Sequence, residues 1–345
     1  MKYNKLGDSD LLVSEICLGT MTFGKQNTLE DAKEQLDYAV ACGVNFLDAA
    51  EMYPVPGSAD TQGRTEEYIG EWLHQQQRDK IIVATKVAGP SRHFTWIRDG
   101  KCQVDRQNIT QAVNDSLKRL KTDYIDLYQI HWPDRYTPIF GEWEYDIAKE
   151  RETIPIVEQL EVFADLIKEG KIRYLGVSNE TPYGICEFTH LAQQLNLPKI
   201  VSIQNAFSLI NRIYSIHLAE ACRFHNVSLM AYSPLGFGLL TGKYLNGIPA
   251  NTRLDLFKGF GMRYDKGNMP LAVKSYVEIA EKFNLTPAQL ALAFVRSRWF
   301  VTSTIIGATT MAQLKENLDS INVNLSEEIL TEINAVHARY PNPTP

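Results

Sequence analysis

The sequence predicts an α/β protein folded as a (β/α)8 TIM barrel, one domain over residues 1–345, with an N-terminal β-hairpin and an extra C-terminal helix. Three observations carry that expectation. Short apolar runs of strand length alternate eight times with stretches of helical spacing. Several of those runs end in chemically active side chains, as strands do at the carboxyl end of a barrel. An open doubly wound sheet, the main rival, usually announces a nucleotide with GxGxxG after its first strand, and Gly19-Thr20-Met21-Thr22-Phe23-Gly24 lacks that spacing.

In chain order, Lys2 to Leu6 and Leu11 to Ser14 flank the turn Gly7-Asp8-Ser9-Asp10 and read as a hairpin capping the barrel floor. Glu15 to Gly19 is the first barrel strand. Leu29 to Ala41 then places Ala32, Leu36, Ala39 and Val40 on one helical face, and Gly43 ends it. The unit repeats as strand 46–48 and helix 64–73, strand 81–85 and helix 105–120, then strand 125–130. A long aromatic interruption, Trp132 to Thr153, precedes helix 156–167 and strand 172–177. Helix 183–195, strand 200–204, helix 214–225 and strand 228–232 follow, then helices 271–283 and 287–297, strand 304–307 and helix 312–320. From Ser326 the chain reads as a capped amphipathic helix, and its Pro-rich end is expected to be mobile.

Composition excludes several classes. A hydrophobic fraction of 44% with 22% charged residues is that of an ordinary globular protein, so disorder is not expected. A net charge of -6 argues against nucleic acid as a partner and leaves anion binding to local clusters of Lys and Arg. Cys17, Cys42, Cys102, Cys186 and Cys222 are odd in number and widely spaced, which suits neither a disulfide framework nor a zinc site. No signal-peptide core and no apolar run of about 18 residues occurs, so a cytoplasmic location without membrane contact is expected.

The chemistry centres on Val44 to Tyr53. Val44, Phe46 and Leu47 read as a buried strand, which puts Asp48 at its carboxyl end and Tyr53 on the loop beyond. A phenol keeps its proton at neutral pH and gives it up only where a nearby cation makes the phenolate less costly. Two later strands end in candidates, Lys86 and His131. Each residue alone has a bland reading: Asp48 as an acceptor for loop amides, Tyr53 as a packed loop aromatic, His131 as a hydrogen-bonded core histidine. Lys86 is harder to dismiss, because a lysine seldom points into a barrel mouth without an anion to meet it.

Taken in order, LDAAEMY, ATK and QIHW, followed by GVSN, SIQN, AYSPLG and IIGATT, resemble the aldo-keto reductases from about Lys2 to about Asn317. EMYPVP and GLLTGKYLNG resemble the bacterial Tas-type branch in particular. The resemblance implies the same barrel and NADP-dependent reduction of a small carbonyl substrate, with Asp48, Tyr53, Lys86 and His131 as the catalytic set. On that implication Tyr53 donates the proton and Lys86 lowers its pKa. Asp48 holds Lys86, and His131 hydrogen-bonds the carbonyl oxygen. Ser178, Asn179 and Gln204 resemble the family's clamp on the nicotinamide carboxamide, and Tyr232 resembles the floor on which the ring stacks. The turn Gly19, Thr20 and Met21 belongs to the same implied site. Ser233, Pro234, Leu235, Gly236, Gly238, Leu239 and Leu240 resemble the segment over the pyrophosphate. Gly307, Ala308 and Thr309, with Gln313 and Asn317, resemble the adenosine-phosphate site.

One departure bears on NADP. Many relatives bind the 2'-phosphate with a lysine where this chain has Gly307; the branch that includes potassium-channel β-subunits makes the contact from another loop, which makes Lys243 and Arg253 the candidates here. Two rival functions follow from other classes. A cofactor-binding regulatory module would have little turnover, although the channel subunits depart from His at the position of His131. A metal-dependent barrel hydrolase would need several His and carboxylate ligands on strand ends, and His131 alone sits on one, so no metal is expected. The substrate mouth is assigned to the interruption, through Trp132, Phe140 and Trp143 with Tyr136 and Tyr145, joined by Phe94 and Trp96. The competing reading is a loop that packs its own aromatics. Which carbonyl compound and which oligomeric state are not written in the sequence.

Overall fold

The computed structural model describes residues 1–91 and 93–344. Two short strands, β1 (Tyr3–Lys5) and β2 (Leu12–Ser14), pair antiparallel as the hairpin. The barrel is formed by β3 (Ile16–Gly19), β4 (Phe46–Asp48), β5 (Ile82–Val87), β6 (Ile125–Ile130), β7 (Ile172–Ser178), β8 (Ile200–Ala206), β9 (Ser228–Tyr232) and β10 (Val301–Ile306). All neighbours are parallel, and β10 closes the ring against β3.

The strands are almost continuously apolar because both faces are covered. Outward residues such as Leu47, Val83 and Tyr128 pack under the helices, while Phe46, Ala84, Leu127 and Met230 fill the interior. Leu6, Leu11 and Val13 of the hairpin join that interior cluster, so the hairpin plugs the barrel floor. Above this layer the inward positions turn polar: Asp48, Lys86, Gln129 and Gln204 are all buried. Room for them comes partly from Gly176, where a Cβ would meet Ser202 Oγ at 2.5 Å and Gln129 Cγ at 3.1 Å.

The helices begin where the sequence carries cap residues. Thr28 and Thr286 form capping boxes with Asp31 and Gln289, and Asp105, Thr181, Thr310 and Ser326 each accept a first-turn amide. Three expectations need correcting. The helix expected over 214–225 is a 3-10 turn, Ile213–Ser215, followed by a helix over Leu218–His225. A short helix over Arg253–Leu256 was not anticipated. The Pro-rich end is not free: Asn342 Oδ1 accepts from Arg212 N at 2.7 Å, and Thr344, buried, donates its amide to Ile210 O at 3.2 Å. Local composition suggested mobility there, but tertiary hydrogen bonds hold the backbone. Among the described residues no helix is long and apolar enough to cross a membrane.

Candidate active site

Asp48, Lys86 and His131 reach the same opening because β4, β5 and β6 are consecutive parallel neighbours, each stepping two residues past the last, with Asp48 beside Ala84 and Lys86 beside Gln129. Lys86 is fully buried. Its Nζ donates to Asp48 Oδ2 at 2.7 Å and to Ala49 O at 2.6 Å. The other Asp48 oxygen accepts from Gln204 Nε2 at 2.7 Å and Gln129 Nε2 at 3.3 Å. Every charge in this layer therefore has a partner, the condition under which a buried ion pair is tolerated. Gln129 was not singled out from the sequence; its place two residues before His131, on the inward side of β6, is the signal that would have found it.

Tyr53 is brought back over the barrel by the loop after β4. Its amide donates to Ala50 O, its carbonyl accepts from Gly63 N, and Val55 N donates to Met21 O. The phenol ring lies 5.0 Å from Lys86 Nζ and edge-on to His131, with ring centres 5.7 Å apart. Burial, and next the Asp48 charge, push the Tyr53 phenol well above its usual range. That direction is opposite to the expected lowering by Lys86. Burial is the largest cause, and Asp48, which lies beside the phenol as well as on Lys86, adds its negative charge to it. His131 moves the other way, held well below the usual histidine range by burial and then by Lys86. Its Nδ1 is buried without a hydrogen-bond partner, and burial favours the neutral imidazole.

A second set of buried charges supports the Tyr53 loop and was not read from the sequence. Glu51 accepts from Ala88 N at 2.6 Å and from both Arg98 nitrogens at 2.5 and 2.9 Å. It ties the loop carrying Tyr53 to the segment after β5 that carries Phe94 and Trp96. A glutamate three positions after Asp48 gives no sequence signal of a partner 47 residues away.

The residues tied to a cofactor by resemblance fall around the same opening. Asn179 donates to His131 O at 2.8 Å and accepts from the Tyr232 hydroxyl at 2.6 Å, while Ser178 Oγ donates to Gln204 O. Tyr232 is thereby held by its hydroxyl against Asn179. Gln204 gives its amide hydrogens to Asp48 and to Gln129 Oε1, which leaves its own Oε1 as the acceptor it can offer a ligand amide. Ser233, Gly236, Phe237 and Gly238 all have positive φ, giving a tight turn after β9 that carries Pro234, Leu235 and Leu240. Lys243 and Arg253 flank that turn. A Cβ at Gly238 would lie 3.4 Å from Lys243 Nζ, and the Arg253 guanidinium sits 4.7 Å from the Phe237 ring centre. On the far side, Asn317 Nδ2 donates to Gly307 O and Gln313 Oε1 accepts from Thr309 N, at the Thr310-capped start of helix Met311–Asp319 next to Ala308. Gly19 and Met21 border this region. Thr20 is fully buried with its hydroxyl on Asp48 O, so its side chain braces β4 and is closed to a ligand.

The mouth divides the aromatic loop residues. Trp132 is buried, its ring tilted against His131 at 4.8 Å and 6.0 Å from Phe94, and Phe140 lies 6.4 Å beyond it. Trp143 is two-thirds exposed and packs under Lys266 instead, while the Tyr136 and Tyr145 rings meet at a tilt, 5.3 Å apart. Trp132 and Phe140 thus pack towards His131, while Trp143, Tyr136 and Tyr145 pack within the loop and against Lys266. Among the described residues no group of three or more His, Cys, Asp or Glu side chains is placed to hold a metal ion.

A sequence profile described as the aldo/keto reductase family matches residues 15–338. The chain is 51% identical to Protein tas of Escherichia coli (strain K12), with both chains covered in full. It is 38% identical to an aldo-keto reductase of Babesia bovis, over 76% of this chain and 98% of that one. A probable voltage-gated potassium channel subunit beta of Arabidopsis thaliana is 31% identical over 94% and 92% of the two chains.

Proposed function

The chain belongs to the aldo/keto reductase family and is an oxidoreductase, and from that premise we propose that it reduces an aldehyde or ketone to an alcohol with NADPH. The observation that carries this reading is the convergence of a protonated phenol, a neutral imidazole and a neutralised Lys-Asp pair on one opening at the strand ends. A nicotinamide dinucleotide fits the surroundings. It needs a flat aromatic face, which Tyr232 offers, and tight turns with cations beside them for its phosphates, which Gly236 to Gly238 offer with Lys243 and Arg253.

The bound cofactor would supply a hydride to the carbonyl carbon. With its proton on Nε2, His131 would donate a hydrogen bond to the carbonyl oxygen. Tyr53 holds its proton at rest because burial disfavours the phenolate, and releases it as negative charge grows on that oxygen. Lys86, fixed by Asp48 and Ala49 O, stabilises the phenolate formed. The buried position of all four residues keeps water from screening these interactions.

The test is oxidation of NADPH, followed by absorbance, with a panel of aldehydes and ketones. Cofactor binding without oxidation by any of them would favour the rival reading, a regulatory module on a reductase fold. A pH series adds a second check. With His131 depressed below about 6.5 and Tyr53 raised above about 10, neither group changes charge in between. Turnover is therefore expected to be flat from about pH 6.5 to 9, and a step near pH 6.5 would contradict the neutral-imidazole assignment.

Preference for NADPH over NADH is assigned to Lys243 and Arg253. Gly307 leaves no cation at the start of the last phosphate motif, and these two side chains are cations beside the β9 turn, where Arg263 also reaches Ser233. Replacing both by Ala should lower NADPH affinity at least ~10-fold, change NADH affinity little and flatten the salt dependence of NADPH binding. Equal weakening of both cofactors would place the two cations on the shared pyrophosphate instead.

A further inference from the structure

Tyr53 is packed outside the main core, in a small cluster with Met52, Ala88, Ile97 and Trp132, whose members come from the loops after β4, β5 and β6. Apolar packing is non-directional, so a few loop residues alone fix a ring loosely. The directional contacts come from Glu51, two residues before Tyr53. Its amide donates to Lys86 O at 3.1 Å, its Oε1 accepts from Ala88 N at 2.6 Å, and its carbonyl accepts from Gln62 Nε2 at 2.7 Å. Glu51 thus sets the loop that carries the phenol against the strand end that carries the ammonium, 5.0 Å from the phenol ring.

Arg98 closes the arrangement from the other side. Nη1 and Nη2 donate to the two Glu51 oxygens, and Nε donates to Asn108 Oδ1 at 2.8 Å. Asn108 is itself held by Asp105, the cap of helix Arg106–Leu120, so the fork is anchored to a helix start. The two side chains of the ion pair are 8% and 2% exposed, and water screens them little. Arg98 and Asp99 both have left-handed backbone, with φ of 47° and 55°. Such strain in consecutive non-glycine residues persists only where the surrounding contacts over-determine it. On the same segment, Phe94 and Trp96 pack on the far limb of the Tyr53 loop, where a Cβ at Gly57 would meet Phe94 Cε1 at 3.0 Å and Trp96 Cζ2 at 3.6 Å. Among the described residues, no hydrogen bond of the Glu51 or Arg98 side chain goes to a residue assigned to the cofactor.

We propose that Glu51 and Arg98 are positioning residues for proton donation: acting as one unit, they hold the Tyr53 phenol in place relative to Lys86. This rests on the reductase reading above, in which Tyr53 is the acid. The two-pronged fork fixes the carboxylate in angle as well as distance, which a single contact does not.

The experiment uses the carbonyl compound that the wild type reduces fastest with NADPH. It compares Arg98→Met, Arg98→Lys and the charge-free pair Glu51→Gln with Arg98→Met, each with and without Tyr53→Phe. Arg98→Met is expected to lower kcat at least ~10-fold, since a proton donor misplaced by about 1 Å costs up to ~10²-fold, while NADPH affinity by fluorescence titration stays nearly unchanged. In the Tyr53→Phe background the same change should lower the residual rate less than about two-fold, because residues that act through one another do not count twice. Arg98→Lys, which keeps the charge but not the fork, should recover part of kcat. The charge-free pair leaves no unmatched charge buried and decides the matter if Arg98→Met fails to fold. A folded variant with wild-type kcat overturns the proposal. So does a loss that is repeated in full in the Tyr53→Phe background, or one matched by a fall in NADPH affinity, the results expected of a pair that only supports the fold or serves the cofactor. If a wild-type protein that binds NADPH reduces no carbonyl compound, the reductase reading itself has failed and this inference goes with it; wild-type turnover with additive variants removes the inference alone.

Discussion

Tyr53→Phe will lower turnover of any carbonyl compound the protein reduces by at least ~10²-fold while leaving NADPH affinity nearly unchanged. The substitution removes one hydroxyl and keeps the ring that packs against His131 and beside Lys86. In the buried opening the other polar groups are poor replacements as proton donors. His131 is neutral there, and Lys86 is turned towards Asp48 and Ala49 O. The measurement is kcat for the purified variant alongside a fluorescence titration with NADPH. Turnover within a few-fold of wild type would remove Tyr53 as the acid, and loss of NADPH binding would reassign it to the cofactor site.

The second large effect concerns the Lys86–Asp48 pair. Removing either partner leaves the other buried without its countercharge, which costs roughly 3–5 kcal/mol in such pairs. Asp48→Asn and Lys86→Met are each expected to lower the urea midpoint accordingly and to lower turnover. The double variant Asp48→Asn with Lys86→Met should be less unstable than the sum of the two, because no unmatched charge then remains. Single-variant losses under about 1 kcal/mol, or strict additivity in the double, would show that the pair is not held as a unit. Asp48 also anchors Gln129 and Gln204, so a small residual loss in the double variant is expected from their freed amides.

The two predictions draw on different kinds of information. The barrel was legible because its rule is local and repeated: apolar runs of strand length, helical spacing between them, and caps such as Thr28 and Thr286 where helices begin. The same rule brings Asp48, Lys86 and His131 together, since residues at the ends of consecutive parallel strands must face one opening. It failed where structure is made by long-range hydrogen bonds. The Pro-rich end looked mobile by composition, yet Arg212 and Ile210 hold it.

What the sequence determined by itself is therefore the eight strand-helix units and the side chains at the strands' carboxyl ends, from periodicity, and the closed barrel, from that count together with the family resemblance. The tertiary structure alone decided the charge balance. Whether Lys86 acts on Tyr53 as a free cation or as half of a neutral pair depends on the 2.7 Å to Asp48. Arg98 has its carboxylate 47 residues back in the chain, while Arg263 meets only hydroxyls and rings within hydrogen-bond and stacking reach. Electrostatic energy varies with distance and burial, not with spacing along the chain, so no pattern in the residues themselves distinguishes a matched arginine from an unmatched one.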